Sequence, residues 1–321
     1  MAVAVIGGAG FIGSNLVDEL LVSGFEVTVL DNLSAGSLDN LARWKGNPKL
    51  EFVRGDIRDR DLVRRVCDHK DWVFHLAAMS RIQPSITDPH LAFEENIMGT
   101  INVLEGCRLG EVKRFVYSAS SSVTGDNGSA IVEAGGAIDE NVRPDYKSPY
   151  SLSKHFGEDA AELYHKLYGL STISLRYFNV YGPRHLETGS YSTVIAIFRR
   201  QARLGEPITV VGDGTQRRDF TFVGDVVRAN MLAAMNFDAT GTYCIGAGKN
   251  YSINEIAALV APGHQTVNVP ARQGEYRATL ADYTKAWTQL GWKPQIQFSE
   301  GLAVLDMFEQ RQKSSLIIVS R

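Results

Sequence analysis

The sequence predicts an α/β protein, a doubly wound parallel sheet joined to a second, smaller α/β domain. Three observations carry that expectation. Short, mainly apolar runs at 2–6, 27–30, 50–53, 72–78, 115–118 and 172–175, the first of them unbroken, alternate with segments whose apolar residues recur at helical spacing. This is the pattern of parallel strands buried on both faces, with right-handed crossover helices between them. The first run ends in a glycine-rich turn, and past Asn179 the texture changes to glycine-punctuated loops and shorter elements dotted with arginines at 184, 199, 200, 203, 217, 218, 272 and 277. We therefore divide the chain into 1–178 and 179–321, with part of 219–247 returning to the first unit. No proline- or serine-rich linker separates them, so tight packing across a cleft is expected.

The first element is the most informative. Ala2-Val3-Ala4-Val5-Ile6 runs into Gly7-Gly8-Ala9-Gly10-Phe11-Ile12-Gly13, after which Leu16, Val17, Leu20 and Leu21 keep helical spacing until Gly24. Strand, turn and helix bring bare backbone N–H groups and the positive end of a helix dipole to one point, where a pyrophosphate can sit. Larger residues at Gly7 or Gly10 would hold the phosphates off. Asp31 closes the next apolar run, roughly 20 residues beyond the turn, where a carboxylate accepts from a ribose 2′-hydroxyl; this favours NAD over NADP. The cofactor-binding residues expected here are Gly7, Gly10, Phe11, Ile12, Gly13, Asp31 and its neighbour Asn32.

Residues 32–46 are polar and glycine-spotted, a loop or short helix over the adenosine. The third strand ends in Gly55-Asp56-Ile57, with Asp56 placed to accept from an adenine amino group, while Asp59 suits the cap of a helix carrying Leu62, Val63 and Val66. The fourth strand runs into Leu76-Ala77-Ala78, small residues that let a cofactor pass close to the backbone, and His75 within it reads as a core histidine. Helical spacing from Ala92 through Leu104 precedes the fifth strand, and 125–147 reads as a long loop. Ser148 suits an N-cap and Pro149 the first turn of a helix that continues to Gly169.

Composition narrows the function. At 321 residues the chain can bury a full α/β core and more. Hydrophobic residues are 44% and charged residues 21%, ordinary for a folded protein. The net charge of −3 gives no nucleic-acid footprint, and no apolar run reaches membrane length. The chain enters a strand at once with no basic leader, so a cytoplasmic protein is expected. Cys67, Cys107 and Cys244 are widely separated with no C-x-x-C spacing, which reads as small buried hydrophobes; no metal is expected.

Tyr150 and Lys154 are four residues apart, hence on one helix face. The lysine ammonium is expected to lower the phenol from its reference near 10, and a tyrosinate near neutral pH is a general base. Ser118-Ala119-Ser120-Ser121-Ser122 closes the fifth strand, where a hydroxyl can hold a substrate oxygen.

These motifs, together with Arg176-Tyr177-Phe178-Asn179-Val180-Tyr181-Gly182-Pro183-Arg184 and Gly212-Asp213-Gly214-Thr215-Gln216-Arg217-Arg218-Asp219-Phe220, resemble the extended short-chain dehydrogenase/reductases, and within them the nucleotide-sugar 4-epimerases. The resemblance implies a Rossmann-like first domain, NAD as cofactor, a UDP-sugar substrate and a homodimer paired through the 92–104 and 150–168 helices. It implies that Ser120 and Tyr150 hold the sugar O4 and that Lys154 holds the nicotinamide ribose. Ser121 and Ser122 would lie beside the sugar, Asn179, Arg218 and Arg272 would take the diphosphate, and Val194 and Glu275 would lie along the nucleoside. In a 4,6-dehydratase of this family an Asp-Glu pair follows the strand-5 hydroxyl; Ser121 and Ser122 stand there instead. Uronate epimerases usually carry Thr where this chain has Asn179, so a neutral hexose is implied. The family's size gate falls at Thr279, whose small side chain would admit an N-acetyl group, making UDP-GlcNAc/UDP-GalNAc the leading substrate pair and UDP-glucose/UDP-galactose the other. Two departures stand out: Met79 to Ser85 occupy the loop where many relatives have a Val-Pro-Arg-Ser arrangement, so that Arg81 or Ser85 could contact the substrate, and Thr124 stands where relatives often place a tyrosine. A non-enzymatic alternative, an NAD-binding redox sensor, would need none of Ser120, Tyr150 and Lys154.

Overall fold

The computed structural model describes residues 1–189 and 191–319. Strands β1 (Ala2–Ile6), β2 (Glu26–Asp31), β3 (Leu50–Arg54), β4 (Trp72–His75), β5 (Arg114–Ser120) and β6 (Thr172–Tyr177) form the first unit. Beyond them come β7 (Val180–Tyr181), β8 (Ile208–Val211), β9 (Arg217–Asp219), β10 (Thr221–Phe222), β11 (Gly241–Ile245), β12 (Asn250–Ser252) and β13 (Thr266–Val269). One seven-stranded sheet has the order β11-β6-β5-β4-β1-β2-β3, and every pairing in it is parallel.

The alternation inside β1 explains why its sequence run is apolar throughout. Val3 and Val5 enter one core with Leu16, Leu20, Val226 and Ala229, while Ala4 and Ile6 enter the other with Val63, Val103, Leu104 and Ala161. Each fully buried Val, Leu or Ile contributes about 1.5–3 kcal/mol, so both helical layers are held by burial. The first layer includes the helix Val223–Met235, which packs on the helix Phe11–Val22. Its following strand β11 lies on β6, so the 223–245 segment sits with the seven-stranded sheet.

Register sets the level of the site. Leu30, Ile6, His75 and Tyr117 pair in one row across β2, β1, β4 and β5. The residues immediately beyond, Asp31, Gly7, Leu76 and Ser118 to Ser120, therefore emerge together at one sheet edge. The chain reverses direction of growth between β1 and β4, the topological switch point where open α/β sheets bind ligands.

β4 ends at His75, shorter than the 72–78 apolar run suggests, because the backbone leaves the sheet to pass over Gly7. His75 is a core residue, its Nε2 3.0 Å from Thr100 Oγ1, and burial pushes its imidazole down to about 3. The 125–147 segment is not wholly a loop: Gly125–Glu133 is a helix. Ile131 and Val132 pack on a small cluster of Ile138, Val142, Phe178, Cys244 and Ala281. Glycines at 125, 128, 135 and 136 obscure that helix in the sequence.

The second unit gathers three two-stranded pairs, β7 with β10, β8 with β13 and β9 with β12. Its core holds Tyr181, Ile195, Phe198, Ile208, Ile253, Ile256 and Phe298. Asp219 stitches it together by accepting from the N–H groups of Ala247, Gly248 and Ala281 at 2.8 to 3.0 Å.

Candidate active site

Above the switch point lies a cavity of about 1170 Å³, with walls from both units. That exceeds the roughly 300–1,000 Å³ typical of a pocket for one small ligand.

Its floor is the glycine turn. A Cβ on Gly13 would lie 2.2 Å from Gly7 O, and one on Gly7, whose φ is +84°, would lie 2.6 Å from Ala77 N. A Cβ on Gly10 would stand 3.3 Å from Gly7 O. Turn, helix start and the β4 loop are thus packed backbone on backbone; the Gly7, Ala9 and Gly10 N–H groups are taken up by Leu30 O, Asp31 and Gly7 O, so that the N–H groups left for a phosphate are those of the first helical turn. Gly7, Gly10, Phe11, Ile12, Gly13, Asp31, Asn32, Asp56, Ile57, Leu76, Ala77 and Ala78 all line this end. Burial pushes the Asp31 carboxyl above the usual carboxylate range; the N–H groups of Leu33 and Ala9, at 2.8 and 2.9 Å, oppose that and fix the carboxylate. Asp56 is held down to about 2 by the Arg58 guanidinium, and Asn32 donates to it at 3.1 Å. A glycine cradle that any Cβ would fill, a helix N-terminus and a buried carboxylate at the next strand end form a set that fits a dinucleotide.

The reacting end is built on the helix Pro149–Tyr168. Ser148 caps it reciprocally with Ser151, Pro149 takes the first position and Gly169, φ +71°, ends it. Glu158 on this helix pairs with Arg176 of β6 at 2.6 Å, both about 4% exposed, which clamps the helix to the sheet. Tyr150 and Lys154 both face the cavity beside Ser120. Ser120 Oγ lies 2.9 Å from Ser122 Oγ and accepts from Ser122 N at 3.2 Å.

The electrostatics differ from the sequence expectation. Lys154 Nζ donates to Ser118 O at 2.7 Å and sits 4.9 Å over the Tyr117 ring. Burial pushes its ammonium down to about 7. Burial also raises the Tyr150 phenol, opposed first by the Ser120 hydroxyl and then by the Arg81 guanidinium. The lysine is directed at strand β5 rather than at the phenol, so four-residue spacing put both groups on one face without making them partners.

Ser121, Ser122, Asn179, Val194, Arg218, Arg272 and Glu275 also line the cavity. Asn179 has φ +24°, strained for a residue with a Cβ, and its amide donates to Asp219 O at 3.0 Å. Arg218 is buried, donates to Glu275 at 2.9 Å and lies 4.8 Å over the Tyr276 ring. Arg272 is exposed at the rim.

Thr279 is not on the wall. It is about 1% exposed and turned away from the cavity, with Oγ1 accepting from Asp219 N at 3.1 Å and from the Asn179 amide at 3.3 Å. The cavity wall in this segment is Tyr276, which the sequence reading did not single out. An aromatic two residues after a glycine in an exposed arginine-rich stretch was the available signal. Ser85 is also corrected: its Oγ accepts from Tyr150 N at 3.1 Å and donates to Ile82 O, so it anchors the helix that carries Tyr150, whereas Arg81 faces the cavity. Thr124 is buried and donates to Ser121 O. Asn96 escaped notice because it sits amid helical spacing. A π-helical turn, Glu94–Met98, rotates it inward, where it bonds both backbone groups of Met79 and the Ser153 hydroxyl, steadying the loop that carries Arg81.

A sheet of this order with a glycine turn at its switch point defines a dinucleotide-binding protein, and the comparisons make the class specific. The chain belongs to the NAD dependent epimerase/dehydratase family, whose model matches residues 3–246. It is 35% identical over 311 residues to a UDP-glucose 4-epimerase of Mycolicibacterium smegmatis, covering 94% of this chain and 96% of that protein. Among solved structures it resembles a Thermotoga maritima UDP-glucose 4-epimerase with UDP-glucose, at TM-score 0.87 and 34% identity over 97% of this chain and 99% of the other. It is also similar to a UDP-N-acetylglucosamine 4-epimerase of Methanobrevibacter ruminantium in complex with UDP-N-acetylmuramic acid, at TM-score 0.89 and 32% identity over 97% of this chain and 98% of the other. NAD is therefore the cofactor of this chain's family, in accord with Asp31 and the glycine cradle. Among the described residues no helix is long and apolar enough to cross a membrane and no cluster suits a metal ion.

Proposed function

We propose that this protein is a nucleotide-sugar 4-epimerase that inverts C4 of a UDP-hexose. The observation that carries the reading is the convergence of Ser120, Tyr150 and Lys154 on the cavity whose other end is the glycine cradle. Gly7, Gly10, Gly13 and Asp31 would hold NAD, with Lys154 at its nicotinamide ribose. Bound there, the nicotinamide supplies a hydride acceptor and, reduced, a hydride donor. Tyr150 Oη removes the proton of the C4 hydroxyl and returns it after the sugar has turned. The Ser120 hydroxyl holds the same oxygen, and its bond to Ser122 orients it. Arg218, steadied by Glu275, holds the diphosphate while the hexose turns, a role that suits a permanent charge with fixed N–H directions.

Neither residue following Ser120 has a carboxyl group, so expulsion of water from C5 and C6 has no acid–base pair there. The reading that Thr279 leaves room for an acetyl group loses its ground, since Thr279 lies behind the wall. We take UDP-glucose/UDP-galactose as the substrate pair and UDP-GlcNAc/UDP-GalNAc as the comparison that tests it. Tyr150→Phe should retain fold and NAD while losing about 10²–10⁴ of turnover, the usual worth of a positioned proton-transfer group. Near-wild-type turnover would remove Tyr150 from the mechanism. Faster epimerisation of the acetylated pair would overturn the substrate choice. The exposed Leu152, Leu163, Leu167 and Tyr168 on the Tyr150 helix favour a homodimer through that face, which sedimentation would test.

A further inference from the structure

We propose that Tyr276 is the positioning residue of the diphosphate-binding arginine: its ring, lying against the Arg218 guanidinium, fixes the direction in which that cation meets the phosphates. The proposal rests on the reading that Arg218 holds the diphosphate.

Arg218 lies in β9 and is 7% exposed. Its Nη1 donates to Arg217 O at 3.0 Å and to Arg277 O at 3.2 Å, and its Nη2 donates to Glu275 at 2.9 Å. Nε has no acceptor among the described residues, which leaves it for a ligand in the cavity that Arg218 lines. A planar cation tethered along one edge still tilts about that edge unless something meets its face. The Tyr276 ring does so, with its centroid 4.8 Å from Arg218 Cζ. The Glu275 side chain is 41% exposed, where water weakens an ion pair. The ring instead attracts the cation from within the cavity wall, where exclusion of water strengthens the contact. Burial raises the Tyr276 phenol, so the ring stays neutral and acts through its face.

Tyr276 is held in place because the chain on either side of it is pinned. Before it, Gln83 Nε2 donates to Gln273 O at 2.7 Å. Gly274, φ +79°, packs so closely on the helix Ile82–Thr87 that a Cβ there would lie 2.8 Å from Ile82 Cγ2. After it, Arg277 O accepts from Arg217 N at 2.8 Å and Thr279 N donates to Arg217 O at 3.1 Å. The ring is carried on a short span tied to the first unit at one end and to β9 at the other. An aliphatic residue at 276 would fill the same wall and lose only the attraction for the guanidinium.

The test separates the diphosphate from the rest of the ligand. Purified, NAD-loaded protein is titrated calorimetrically with UDP and with uridine. Tyr276→Leu should weaken UDP binding about tenfold and uridine binding by less than about twofold, and Tyr276→Phe, which keeps the ring, should recover most of the loss. In an Arg218→Gln background Tyr276→Leu should cost UDP little more, since the two residues act as one. With UDP-galactose, Tyr276→Leu should raise KM far more than it lowers kcat, because the diphosphate is held alike before and during the reaction. Unchanged UDP binding in Tyr276→Leu overturns the proposal, as do equal losses for UDP and uridine, which would make Tyr276 plain wall. A full further loss in the Arg218→Gln background, or a loss in Tyr276→Phe as large as in Tyr276→Leu, would also overturn it, the first by showing that Tyr276 does not act through the arginine and the second by assigning the effect to the hydroxyl. Undiminished UDP binding in Arg218→Gln would remove the arginine from the diphosphate and the proposal with it; a weakened Arg218→Gln beside an unaffected Tyr276→Leu would remove the proposal alone.

Discussion

Replacing Gly13 by alanine tests the cradle with a single methyl group. Gly13 lies in the first turn of a helix and has no positive φ, so alanine meets no backbone penalty there and on propensity alone would stabilise by about 0.5–1 kcal/mol. The added Cβ would, however, stand 2.2 Å from Gly7 O and 2.8 Å from Gly8 Cα. Both are backbone atoms of the turn, so the helix must move off β1 or the turn must open. Overpacking of this kind costs about 1–3 kcal/mol, and set against the propensity gain it leaves a net loss of up to about 2.5 kcal/mol. For a chain of this size that is a fall of a few degrees in melting temperature. The larger effect is on NAD, because the displaced N–H groups no longer converge on one phosphate position. Gly10→Ala is the internal control, since its Cβ would lie 3.3 Å from Gly7 O and needs only a few tenths of an ångström. Thermal unfolding, with NAD released per chain after denaturation, should rank wild type first, Gly10→Ala next and Gly13→Ala last. A Gly13→Ala protein with wild-type melting temperature and NAD content would refute the packing argument.

Further outcomes follow from the helix that carries Tyr150. Glu158→Ala leaves the Arg176 guanidinium buried without its partner and should destabilise by about 3–5 kcal/mol in denaturant titration, while replacing both by methionine should recover much of the loss. Lys154, pushed by burial from 10.5 to about 7, binds fewer protons folded than unfolded between those values. Stability then rises with pH across about 7 to 10 and the burial penalty is full below pH 7. Lys154→Met should abolish that rise in NAD-free protein; an equal slope in both proteins would contradict it. Asp219→Asn turns an amide donor toward N–H groups that need acceptors, and should cost about 1–3 kcal/mol by the same denaturant titration.

How far the molecule could be read from its residues depends on what set each feature. The parallel sheet was legible because β1, buried on two faces, had to be apolar at every position, and the cradle because only glycine fits at 13, against Gly7 O, and at 7, against Ala77 N. Ser120, Tyr150 and Lys154 were legible as a constellation, since β5 and the capped helix deliver them to one edge. Their mutual electrostatics were not: the direction of the Lys154 ammonium depends on the Ser118 carbonyl, which no side-chain spacing encodes. Thr279 misled for a related reason. Its β-type bonds to Arg217 turn it inward, and Tyr276 takes the wall. The Gly125–Glu133 helix was hidden because its glycines mask the periodicity that Ile131 and Val132 would otherwise display.

In the proposed reaction one carbon is oxidised and re-reduced in the cavity above the sheet, with one proton shuttled by Tyr150. The decisive experiment incubates the purified, NAD-loaded chain with UDP-galactose deuterated at C4, with no added reductant, and examines the product by mass spectrometry and NMR. UDP-glucose that keeps deuterium at C4 is expected. Loss of the label to solvent, or a product changed at any carbon other than C4, would rule the mechanism out.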